Sequence, residues 1–276
     1  MPPLRIWICL LISIIAIGTI VFFRERSIRL SMLDCRNTYL EQGFRQAEGK
    51  PVVLIIGSSL VECGISPSDS IEENLHQLCN QPVKVLKLWQ RGATISEIVG
   101  GLPILHNVHP VLVVLEANLF FYRPPYFSLW ARNVQTYNDM ILFRHRKIYY
   151  APDSMLVFDP IARAEIAGYR NGLIDTNELA SFRELAGCWQ SKGTQFLLIN
   201  FPLEKLEEFK KWNRPDTLSF KNNLQFLKKE ISFTYVDGHL ILDQSAFYDF
   251  AHLNKTGNRI FSSFFCRILC MQLKKS

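Results

Sequence analysis

The longest unbroken apolar pattern comes first: residues 6–23 contain no charged side chain. At about 1.5 Å of helical rise per residue, such a run nearly spans the roughly 30 Å hydrocarbon core of a bilayer. It ends in Val21-Phe22-Phe23 before Arg24, with no small-residue cleavage site. The pattern therefore predicts an uncleaved transmembrane signal anchor over 1–23 rather than a removable signal peptide. A charged stretch, 24–50, reads as a helical connector. Beyond it the pattern changes. Short apolar runs rich in β-branched residues occur at 52–56, 83–88, 111–115, 195–200 and 233–236. Most are continuous rather than alternating, as expected of strands buried on both faces of a parallel sheet. Helical stretches are predicted at 68–78, 94–105, 177–191 and 255–273. Strands alternating with helices imply right-handed crossovers and helices on both sheet faces, in one α/β domain over 51–276.

Composition removes several function classes. The 276-residue chain has a formal charge of +6, but its basic residues are scattered among acids. No basic run interleaved with aromatics suggests a nucleic-acid groove, so no nucleic-acid partner is expected. Seven cysteines show no metal-ligand spacing, and Gly57 alone follows the first strand where a phosphate loop would need several glycines. Neither a metal nor a cofactor is expected.

Open parallel sheets gather chemistry at the carboxyl ends of their strands. Gly57-Ser58-Ser59 follows the first strand, Gln90-Arg91-Gly92 the second, and Glu116 and Asn118 the third. A serine between a buried strand and a helix is either a nucleophile near backbone N–H groups or a helix cap. Asp249-Phe250-Ala251-His252 stands just before the last helix. A histidine accepts a serine proton near neutral pH, and an aspartate three residues earlier can orient its ring. Alone, that motif reads more readily as a solvated surface loop. Asn254 or Thr256 would cap the last helix.

In combination these motifs resemble the SGNH (GDSL-like) hydrolase superfamily, in order, over residues 51–271. The resemblance implies a three-layer flavodoxin-like fold with a parallel sheet, preceded by one N-terminal transmembrane helix. It also implies Ser59 as nucleophile, rather than the neighbouring Ser58, and His252 as base, oriented by Asp249. The oxyanion hole would comprise the Ser59 and Gly92 N–H groups and the Asn118 amide. Two departures mark the chain: Gly57-Ser58-Ser59 replaces the usual Gly-Asp-Ser, and Glu116-Ala117-Asn118 replaces Gly-x-Asn-Asp. Both resemble membrane-anchored bacterial relatives that act in cell-envelope O-acylation.

That likeness implies an acyl-ester hydrolase or O-acyltransferase acting on an acylated envelope glycan or a similar ester, with room for a membrane-bound acyl-donor partner. A catalytically inactive, membrane-tethered binding or assembly subunit is the alternative. The catalytic domain is expected on the periplasmic or extracytoplasmic side, although Arg24, Arg26 and Arg29 outnumber Arg5 across the anchor and by the positive-inside rule point the other way. Residues 119–172, dense in aromatic and basic side chains, form an insert. It reads either as a lid or substrate platform or as a subdomain with its own core.

Overall fold

In the computed structural model the described residues are 3–90, 94–123, 170–171, 174, 176–203, 216–238, 242–247 and 252–274. Anchor and connector run through one helix, α1 (Leu4–Gln46). Its segment Leu4–Phe23 has a mean hydropathy of 2.8 and none of it is buried; it is long and apolar enough to cross a membrane. The last turns of α1 pack on the domain. Leu40 and Ala47 are buried, and a Cβ on Gly43 would collide with the Leu86 side chain.

The main sheet has five parallel strands: β1 (Val52–Gly57), β2 (Lys84–Trp89), β3 (Leu112–Glu116), β6 (Gln195–Asn200) and β7 (Thr234–Asp237). Their order is β2-β1-β3-β6-β7, the flavodoxin-like order. A small antiparallel pair, β4 (Tyr122–Arg123) and β5 (Arg170–Asn171), lies apart from it. Every residue of β1 and β3 is buried, which explains why these strands read as unbroken apolar runs.

Alternate strand residues feed two cores. Leu54, Ile56, Val113, Leu115 and Leu198 face α1, the short helices α4 (Ile95–Val99) and α5 (Ile104–Asn107), α7 (Thr176–Ser191) and α8 (Asp216–Glu230). Val53, Ile55, Val114 and Ile199 face α2 (Ser59–Gly64), α3 (Ser68–Cys79) and α9 (Lys255–Leu273). The result is the three-layer α/β architecture expected of the SGNH fold.

Three local outcomes differ from the sequence reading. The single helix expected over 94–105 is two, because Gly101 adopts φ +72 and Pro103 follows it. Thr94 caps the first of them, in a capping box with Glu97. Helix α8 had no counterpart in that reading, although Phe220, Leu224, Leu227 and Ile231 recur at helical spacing on its inner side. Of the insert aromatics, Phe120 and Phe121 in α6 (Asn118–Phe121) are core residues. Phe121 packs edge-on against Phe220 with ring centroids 4.8 Å apart. Residues 124–169 of the insert lie outside the described residues.

Candidate active site

Neighbouring strands β1 and β3 send the chain to opposite sides of the sheet, β1 toward β2 and β3 toward β6. Such a switch point opens a crevice at the carboxyl ends of the strands. Ser59 follows β1 there, and Glu116 and Asn118 end and follow β3.

The turn that carries Ser59 is held from below. Ser58 is the N-cap of α2, its hydroxyl oxygen accepting the Leu60 N–H at 3.2 Å. The Ser58 N–H donates to Glu116 Oε2 at 2.6 Å, and the Ser58 hydroxyl donates to Glu116 Oε1 at 2.8 Å. Glu116 is 0% exposed and Ser58 half-buried, so both contacts are shielded from bulk water, where a hydrogen bond is stronger than in solution. Gly57 leaves room for this carboxylate. A Cβ there would sit 2.9 Å from Glu116 Oε2 and collide with Val61. Ser58 thus spends its side chain on the scaffold, while Ser59 points elsewhere: its Oγ lies 2.9 Å from His252 Nε2, across 193 residues of sequence. As the first residue of α2, Ser59 also has an N–H with no intrahelical acceptor.

His252 is positioned by the entrance to the last helix. Asn254 caps α9 through the Gly257 N–H at 3.0 Å and donates its amide to the Ser245 carbonyl at 2.7 Å. The Asn254 N–H reaches the Ala246 carbonyl at 3.0 Å, and Leu253 bridges to Phe247. This brings α9 so close to the 3-10 turn Gln244–Ala246 that a Cβ on Gly257 would collide with the Ala246 carbonyl oxygen. Helix α9 is in turn tied to α2. The Asn258 amide donates to the Cys63 carbonyl at 2.7 Å, and the Ser66 N–H to the Ser262 hydroxyl at 2.7 Å. These contacts fix the separation between the helix that begins with Ser59 and the helix that His252 precedes.

Of the other expected site residues, Asn118 is buried (5% exposed) at the same end of the sheet. Gly92 and Asp249 lie outside the described residues. The carboxylate clamp of Glu116 was not foreseen as such; its signal was one charged residue closing an otherwise apolar strand. Among the described residues no cluster of His, Cys, Asp and Glu could hold a metal ion. Cys79 and Cys266 are remote from the site. Burial pushes their thiols up, to about 11 and about 12 respectively.

No protein-family profile and no curated protein matches the chain. Solved structures similar to it include an acetyl xylan esterase and a lipase. TesA matches at 12% identity with a TM-score of 0.41, over 78% of this chain and 96% of its own. An acetyl xylan esterase from Geobacillus stearothermophilus matches at 14% identity and 0.43, over 79% and 93%. A lipase from a goat rumen metagenome matches at 11% and 0.44, over 80% and 97%. These likenesses are of low identity, and the chemistry is read from the side chains of this chain.

Proposed function

We propose that this protein is a serine esterase or O-acyltransferase. Ser59 Oγ attacks the carbonyl carbon of an acyl ester while His252 Nε2 takes its proton; the same proton then passes to the departing alkoxide. Water or a sugar hydroxyl, deprotonated in turn by His252, releases the acyl group and restores Ser59. Asp249 orients the imidazole so that Nε2 faces the serine. The Ser59 and Gly92 N–H groups and the Asn118 amide stabilise the oxyanion. The observation that carries this reading is the 2.9 Å contact between Ser59 Oγ and His252 Nε2. Two residues so distant in sequence meet in hydrogen-bonding geometry at a sheet switch point, with a separate residue, Ser58, taking the capping role.

The anchor and the acylation-type motifs favour an acylated cell-envelope glycan as substrate, with the domain outside the cytoplasm and a membrane-bound acyl donor as partner. A fluorophosphonate probe tests the chemistry. Wild-type labelling that disappears in Ser59→Ala and His252→Ala, with turnover of p-nitrophenyl acetate lost in parallel, supports it. Well-folded wild-type protein that neither labels nor turns over ester would instead be a binding subunit.

A further inference from the structure

Helix α1 runs antiparallel to β2 along the edge of the sheet, and three contacts show its direction. Gly43 packs on Leu86. The Tyr39 hydroxyl oxygen accepts the Lys87 N–H at 3.1 Å, satisfying a backbone donor on the edge strand. Arg36, only 2% exposed, donates to the Glu97 and Ile98 carbonyls at 3.0 and 3.2 Å and to the Gln90 side-chain oxygen. Going back along α1 from 43 to 36 is therefore going forward along β2 from 86 to 90, toward the carboxyl ends of the strands. At that level the Gln90 N–H donates to the Gly57 carbonyl at 3.1 Å, immediately beside the Ser58-Ser59 turn. Leu33, against Gly101, is also packed on the domain. The helix then continues past the catalytic end of the sheet, unbroken, to the apolar segment Leu4–Phe23.

The helix sets the lengths. Arg36 lies thirteen helical steps beyond Phe23, which at 1.5 Å each is about 20 Å. A typical tilt of about 20° shortens this by little more than an ångström. The opposite arrangement, with the site facing away from the bilayer, would require α1 to run parallel to β2.

We propose that the catalytic end of the sheet faces the membrane at a fixed height of about 20 Å, and that its substrate is an acyl ester borne by a membrane-tethered molecule standing at that height. This rests on Ser59 being the nucleophile and on residues 4–23 spanning the bilayer. An ester in the headgroup layer lies too low, whereas one on a saccharide chain linked to a lipid reaches it. The buried Arg36 contacts make the height rigid rather than average, since they join α1 to both flanks of residues 91–93.

The test uses the full chain in phosphatidylcholine vesicles. The probe is a lipid-linked fluorogenic acetyl ester on an oligoproline spacer, which extends about 3.1 Å per residue. Turnover should be at least tenfold faster with seven prolines than with none. Inserting one alanine-rich heptad between Ser27 and Ile28 adds about 10 Å and nearly preserves helical phase. It should move the best spacer from about seven to about ten prolines. Turnover of soluble p-nitrophenyl acetate should stay unchanged, which reports that the lengthened chain is folded. If it is not, the spacer series on the unaltered chain stands alone. Equal rates along that series, or fastest turnover without a spacer, with soluble turnover intact, overturns the proposal. Absence of soluble turnover in the unaltered chain overturns instead the assignment of Ser59.

Discussion

Ser59 and His252 meet at 2.9 Å but are held there by different means. The serine turn grows directly out of a fully buried strand and is clamped by the carboxylate of Glu116, itself part of the sheet interior. The histidine stands at the entrance to α9, where the described contacts include an asparagine cap, a backbone bridge and a close glycine contact. On the Ser59 side, position and core stability share the same bonds. On the His252 side, position depends on the entrance to α9 and on its ties to the Ser59 helix, so geometry there can be lost while the sheet core survives.

That contrast is sharpest in activity. His252→Ala should lower kcat for a small ester by roughly 10³-fold or more, with the melting temperature nearly unchanged, because it removes the proposed proton acceptor and little packing. A drop of less than tenfold would mean another base serves Ser59. Glu116→Ala should show the opposite balance, losing about 3 kcal/mol in urea unfolding because the Ser58 N–H and hydroxyl are left buried without their acceptor. Glu116→Gln, whose amide can meet both Ser58 groups, should lose less than half of that. Equal losses in the two would show that shape, not hydrogen bonding, holds the turn.

Gly257→Ala should push the start of α9 away from Ala246. The expected result is a kcat lower by about tenfold for about 1–2 kcal/mol of stability. Stability loss with unchanged kcat would break the claim that this contact positions His252. Asn254→Ala should cost about 1 kcal/mol as a lost helix cap, with a severalfold fall in kcat. The smallest effect concerns the core itself. Cys79 and Cys266, raised to about 11 and about 12 by burial, stay protonated thiols at pH 8 and react only as the pH rises through those values. In the native protein iodoacetamide at pH 8 should therefore modify the exposed Cys35 before Cys79 and Cys266, and mass mapping would show it.

The main strands, helices α3, α7 and α9, and the apolar start of α1 were legible because each depends on a local rule. Buried parallel strands need continuous apolar runs; helices need apolar residues at a spacing of three to four. Ser59 and His252 were legible as candidates because strand ends and helix starts are where such chemistry can be exposed. Where two rules competed locally, the pattern misled. The apolar spacing over 94–105 suited one helix, but Gly101 and Pro103 divide it.

Sequence alone therefore determined the main strands and most of the long helices, the parallel sheet and a short set of reactive side chains, since these derive from periodicity and from a residue's intrinsic chemistry. Tertiary structure decided which of two adjacent serines faces the histidine, because only the position of Glu116 at the end of a neighbouring strand shows that Ser58 is already bound. It also decided that α1 runs antiparallel to β2. That direction depends on contacts between residues some fifty positions apart, Arg36 with Gln90 and Tyr39 with Lys87, which no local pattern encodes.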